Sequence, residues 1–161
     1  MVVALGSNMP GAYADSPALL EAALAAFPAA GLAVLARSGW WRSAAWPDPT
    51  GPAYTNGVAI VETQLSPGEV LAALHRIERA FGRARGDLNA ARTLDLDLIA
   101  YGRLVSNGEG PAVPHPRAHE RRFVLGPLAE IAPGWRHPVS GATARQLAAA
   151  ASVGRDAEPI A

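Results

Sequence analysis

Residues 94 to 98 read Leu-Asp-Leu-Asp-Leu, and no other stretch of the chain constrains its fold so narrowly. Successive side chains of a β-strand point to opposite faces, so Leu94, Leu96 and Leu98 share one face and Asp95 and Asp97 the other. The leucine face must be covered, which commits the chain to a sheet with a packed layer on that side. The acid face is costly, because Asp is depleted in strands and two carboxylates about 6 Å apart repel by about 3 kcal/mol at an effective dielectric of ~20. Positive charge has to offset that repulsion. Oxygen ligands with no His or Cys beside them suit Mg²⁺, and two such ions ~4 Å apart fit the pair. A solvated acidic face paired to arginines satisfies the same alternation.

The remaining punctuation supplies the partners of this strand. Residues 2–5 form an apolar run stopped by Gly6-Ser7-Asn8 and predict a first strand. Ser16-Pro17 opens a helix with Ser16 as N-cap, and Leu19, Leu20, Ala23, Leu24 and Phe27 share one face until Pro28. Residues 31–42 read as a second strand, 43–53 as a loop broken by Pro47, Pro49, Gly51 and Pro52, and 54–62 as a third strand. Ser66-Pro67-Gly68-Glu69 has capping-box spacing and starts a helix that ends at Gly82. Residues 94–101 make the fourth strand. A proline-rich loop (111–116), a short helix near 125–131 and an alanine-rich helix near 143–151 follow. The order β-α-β-β-α-β is that of a ferredoxin-like plait: an α+β fold with an antiparallel sheet, helices on its faces and C-terminal additions, in one domain over residues 1–161.

Composition excludes several chemistries. All 14 side-chain cations are arginine and there is no cysteine. P-loop lysines, Schiff bases, thiolate nucleophiles and thiolate metal sites are therefore excluded. Fourteen acids balance the arginines, and half the residues are hydrophobic, so neither disorder nor a polyanion-coating surface is expected. The N-terminal stretch shows neither a basic signal region nor a membrane span, which predicts a cytoplasmic protein with no membrane partner.

Three further groups could carry chemistry. Arg83, Arg85 and Arg92 precede the acid pair and could clamp a polyphosphate whose metals the aspartates hold, or simply end a helix in an exposed basic patch. His115 and His119 have the spacing of a helical zinc pair, but Pro114 and Pro116 oppose a helix there, and with Arg117, Arg121 and Arg122 nearby the cluster favours phosphate. In such a clamp His115 is the group expected to titrate near neutral pH. Tyr54 and Asn56, two apart on a strand, could stack on and hydrogen-bond a flat heterocycle, or be ordinary packing.

Taken in order, these segments resemble the 6-hydroxymethyl-7,8-dihydropterin pyrophosphokinases of folate synthesis over essentially the whole chain. The matching pieces are Ala4-Leu5-Gly6-Ser7-Asn8, Tyr54-x-Asn56, Gly82-Arg83-x-Arg85, Arg92-Thr93-Leu94-Asp95-Leu96-Asp97-Leu98, Val113-Pro114-His115-Pro116, Arg121-x-Phe123 and Pro127-Leu128-x-Glu130-Ile131-Ala132-Pro133. The resemblance implies transfer of pyrophosphate from ATP to the pterin hydroxymethyl oxygen, releasing AMP, with no covalent enzyme intermediate. It implies that Asp95 and Asp97 hold two Mg²⁺, and that Arg83, Arg85, Arg92, His115 and Arg121 contact ATP, with Arg83 and Arg92 catalytic beside the acids. It implies a pterin held between Tyr54 and Phe123 and read by Asn56 and the backbone from Ser43 to Trp46. Loops 43–53 and 83–91 would close over both substrates. A monomer with small-molecule partners and no nucleic acid is expected. The chain departs from the family pattern at Leu88-Asn89-Ala90-Ala91, where many members carry Arg-Trp-Gly-Pro, and at Gly110 and Pro116.

Two other classes share parts of this pattern. A nuclease or nucleotidyltransferase also uses two carboxylates and Mg²⁺, and plait folds with surface aromatics bind single-stranded RNA. Zero net charge and the lack of an Arg-Gly-Phe-x-Phe run weigh against RNA.

Overall fold

The computed structural model describes residues 1–82 and 93–161. Among these residues six strands and four α-helices run in the order β1 (Val2–Ser7), α1 (Ser16–Ala25), β2 (Ala33–Arg37), β3 (Trp41–Ser43), β4 (Tyr54–Glu62), α2 (Pro67–Ala80), β5 (Asp95–Ala100), α3 (Arg122–Ile131), α4 (Ala144–Ala150) and β6 (Glu158–Pro159). The sheet is antiparallel in the order β5-β1-β4-β3-β6, with β2 pairing the same edge of β4 further along. Helices cover both faces.

The alternation of β5 sorts these layers. Leu94, Leu96 and Leu98 join Val3, Leu5, Ala59 and Val61 in a core closed by Leu20, Leu24 and Phe27 from α1 and its end and by Val70, Leu74 and Ile77 from α2. On the opposite face Val2, Val58, Ile99 and Ala100 pack against Val124 and Leu128 of α3 and Ala144 of α4. Asp95 and Asp97 share this second face but lie beyond the part that α3 covers, and both remain half-buried. The capping box of α2 forms as expected, with Ser66 Oγ accepting from Glu69 N–H at 3.3 Å and Glu69 Oε2 from Ser66 N–H at 2.7 Å.

Several boundaries differ from expectation. Asp15, not Ser16, caps α1: its carboxylate accepts from Ala18 N–H at 2.8 Å, and a charged acceptor is the stronger partner there. Strand β1 continues through Gly6 and Ser7, which pair with Asn56 and Thr55. The expected strand over 31–42 is two strands, broken where Ser38 Oγ takes the Val58 N–H at 3.0 Å and Trp40 crosses over Gly57. Helix α3 starts three residues early, at Arg122, and tolerates Pro127 inside it. Two-residue β6 was not anticipated.

Gly126 in α3 is a packing requirement, because a Cβ there would stand 2.6 Å from Cζ3 of Trp41. That indole is 8% exposed, and its Nε1 donates to Glu130 Oε2 at 2.8 Å, so it has little room to yield. Gly126→Ala gains about 1 kcal/mol of helix propensity against an overpacking cost of about 1–3 kcal/mol. A net loss of up to about 2 kcal/mol is expected by urea unfolding, while a variant more stable than wild type would mean that the indole moves freely.

Candidate active site

Where β1, β4 and β5 lie side by side, their second face carries a cleft of about 390 Å³, completed by Ser43, by loop 44–52 and by His115, Arg121 and Phe123. The sheet register builds its floor. Gly6 stands between Asn56 on β4 and Asp95 on β5, and Ala4 between Val58 and Asp97. The two small residues keep the floor low between the amide and the acids. A Cβ on Gly6 would meet Asn56 Oδ1 at 3.5 Å, so that oxygen lies over the floor. The amide is held there by Ser43, whose Oγ accepts from Asn56 Nδ2 at 3.0 Å, both residues being buried.

All nine described candidates, Ser43, Trp46, Tyr54, Asn56, Asp95, Asp97, His115, Arg121 and Phe123, line this one cleft. Arg83, Arg85 and Arg92, with the rest of the arginine-rich loop, lie outside the described residues. His119 is not in the cleft; its ring packs edge-on 5.9 Å from His137.

The acids have cationic neighbours. Burial lowers the Arg121 guanidinium from its usual value, and Asp97 opposes the shift. Among the described residues Arg121 Nε is buried with no hydrogen-bond partner, and a donor left in that state costs about 1–3 kcal/mol unless a ligand oxygen supplies the bond. The guanidinium also lies 5.8 Å from the Phe123 ring centroid, and that of Arg117 lies 4.9 Å from the Trp46 ring. Among the described residues no three His, Asp or Glu side chains converge on a metal position. Two carboxylates on one strand face, open to a cleft and flanked by arginine, fit a hard cation that takes its other ligands from water and phosphate.

His115 departs from the expected behaviour. Burial, and then the charge of Arg121, push its pKa down to about 4 from the ordinary 6.5, with Asp95 opposing. It is therefore neutral near pH 7, and its Nδ1 accepts from Arg117 N–H at 3.2 Å, which leaves the proton on Nε2. Between pH 6.5 and about 4 the unfolded chain holds a proton that the folded imidazole does not, so stability falls as pH drops through that window. His137 is shifted the same way by burial and by His119. His115→Gln should flatten part of that slope in urea unfolding at stepped pH; a slope identical to wild type would contradict the assignment.

One supporting residue escaped the sequence reading. Glu78 of α2 is 1% exposed and accepts from Leu96 N–H, between the two aspartates, at 2.8 Å. An acid one helical turn after Leu74, on the buried stripe of α2, was the available signal.

A model of the 7,8-dihydro-6-hydroxymethylpterin-pyrophosphokinase (HPPK) family matches residues 2–133. The 2-amino-4-hydroxy-6-hydroxymethyldihydropteridine pyrophosphokinase of Synechocystis sp. is 45% identical over 148 residues, covering 91% of this chain and 73% of the relative. The proteins of that name from Pseudomonas aeruginosa and Methylorubrum extorquens are 41% and 37% identical, covering 84% and 90% of this chain and 82% and 89% of theirs. Among solved structures, Plasmodium falciparum HPPK-DHPS with pteroate superposes with a TM-score of 0.72 at 12% identity, over 92% of this chain and 41% of that one. Another, an HPPK-DHPS in complex with substrates, gives 0.70 at 11% identity over 92% and 42%. This chain thus spans about two-fifths of those structures, whose likeness speaks to the fold. With the family match running through most of its length, the chain belongs to the 7,8-dihydro-6-hydroxymethylpterin-pyrophosphokinases, a family of diphosphotransferase enzymes.

Proposed function

We propose that the chain transfers the terminal pyrophosphoryl group of ATP to the hydroxymethyl oxygen of 6-hydroxymethyl-7,8-dihydropterin. The oxygen forms a bond to the β-phosphorus as the bond from that phosphorus to the α,β-bridging oxygen breaks, so AMP leaves and the hydroxyl proton is lost. The observation that carries this reading is the convergence of an acid pair, an orphaned arginine donor, a positioned amide and two aromatic rings on one cleft.

Each side chain has a role in that reaction. Tyr54 and Phe123 hold the pterin ring between them. Asn56 Oδ1, kept over the floor by Ser43, accepts from the N–H edge of the ring, and the backbone from Ser43 to Trp46 reads the rest. Arg121 and neutral His115 donate to phosphate oxygens, and Arg83, Arg85 and Arg92 are further cations for the polyphosphate. Asp95 and Asp97 would hold two Mg²⁺, which would neutralise phosphate charge. No residue forms a bond to substrate, since alignment and electrostatics supply the rate.

The strand order, with β2 and β3 together forming the edge beside β4, supports a ferredoxin-like plait to which α3, α4 and β6 are added. Residues 1–161 are read as one domain that works as a monomer in the cytoplasm. Among the described residues no helix is long and apolar enough to cross a membrane.

The deciding assay mixes protein, Mg-ATP and the reduced pterin alcohol. One AMP per pterin diphosphate is expected. Formation of ADP, or no nucleotide turnover, would overturn the proposal.

A further inference from the structure

Residues 153–160 lie beyond the family match at 2–133, yet they are tied to both walls of the cleft. On one wall, Val153 bridges Arg121 in parallel, and its carbonyl accepts from Arg122 N–H at 2.8 Å. Gly154 (φ +67°) lies against Phe123, where a Cβ would stand 2.4 Å from the ring. On the other wall, β6 pairs with β3, and Ile160 N–H donates to the Trp40 carbonyl at 2.8 Å. Between these anchors, Asp156 Oδ2 accepts from Ala44 N–H at 2.6 Å.

That contact falls where the sheet gives out. Strand β3 ends at Ser43, so Ala44 has no strand partner, although Ser43, Ala44 and Ala45 all line the cleft. A carboxylate on a backbone N–H makes a short, charge-assisted bond. Here it extends the ordered edge of β3 by one residue into the segment assigned to the pterin edge.

We propose that Asp156 is a positioning residue for the heterocycle pocket: by holding Ala44 N–H it fixes the backbone from Ser43 to Trp46, while the same C-terminal segment backs Phe123 on the opposite wall. The inference rests on the pterin reading above for its ligand, but not for its geometry. The amide belongs to a cleft wall, so losing its partner should act on the heterocycle and leave the polyphosphate contacts in place.

The test uses the full chain with Asp156→Ala, Asp156→Asn and, as a control that loosens the same segment elsewhere, Glu158→Ala, which removes the exposed pair to Arg42. Hydrogen exchange at the Ala44 amide reads the geometry, and KM for pterin and for ATP reads the consequence. Expected for Asp156→Ala are faster Ala44 exchange and a pterin KM raised roughly threefold to tenfold, the range for losing one partly exposed charge-assisted bond, with ATP KM within twofold. Asp156→Asn, whose amide oxygen can still accept, should fall between, and Glu158→Ala should match wild type in both KM values. Unchanged Ala44 exchange overturns the positioning role whatever the substrate. Equal rises in both KM values, or the same effect from Glu158→Ala, reduce Asp156 to general attachment of the tail and also overturn it. Wild-type protein that ignores the pterin while Asp156→Ala still frees Ala44 overturns the pterin reading and, with it, the role in that pocket.

Discussion

Asp97→Ala is expected to lower kcat by roughly 10³-fold, corresponding to about 4 kcal/mol of lost transition-state stabilisation, while the protein stays folded. The asymmetry follows from the position of Asp97 on a two-faced strand. Its neighbours Leu96 and Leu98 make the buried contacts, whereas Asp97 faces the cleft beside Arg121. Removing it relieves repulsion with Asp95 but takes a favourable charge from the half-buried guanidinium, so the two electrostatic changes oppose each other and the melting temperature should move by only a few degrees. Asp97→Asn keeps the shape and removes the charge, and should lose nearly as much turnover. Activity near the wild-type level at saturating Mg²⁺ would refute a metal role for this carboxylate, and loss of the circular dichroism signal would make it structural.

Tyr54→Ala should raise the dissociation constant for the pterin by up to roughly a hundredfold, since stacking of a base on an aromatic ring is worth about 1–3 kcal/mol. ATP affinity should stay within twofold, because Tyr54 is not among the groups assigned to phosphate. Tyr54 opens β4 and pairs with Ser43, the residue that orients Asn56, so a structural effect has to be separated from a stacking one. Tyr54→Phe does so: it keeps the ring and the strand pairing, and should bind pterin nearly as well as wild type. Calorimetry with pterin and with an ATP analogue, each alone, gives both constants. Parallel loss of both ligands would show that Tyr54 supports the fold and not the heterocycle.

What could be read from the sequence was whatever depends on local period and capping chemistry. The two faces of β5 and the capping box of α2 needed only residues a few positions apart, and both appear as expected. The convergence of Tyr54, Asn56, His115, Arg121 and Phe123 was implied only by family resemblance, because no local rule brings such separated segments together. Where two neighbouring residues could do the same job, as with Asp15 and Ser16 at the start of α1, local pattern could not choose between them. Features set by distant partners were hidden. The break between β2 and β3 depends on Trp40 crossing Gly57, Asp156 acts on an amide 112 positions away, and the depressed pKa of His115 comes from burial that only the folded cleft supplies.

The two-faced β5 also lets its acid pair proofread the register of the sheet. A slip of one residue against β1 would turn both aspartates into the apolar layer under α1 and α2 and bring the leucines to the cleft. Burying two carboxylates in an apolar layer costs far more than the slipped pairing could recover. The acids proposed to hold metal therefore penalise the misregistered sheet, so replacing both with apolar residues for the sake of stability would remove that penalty along with the proposed metal ligands.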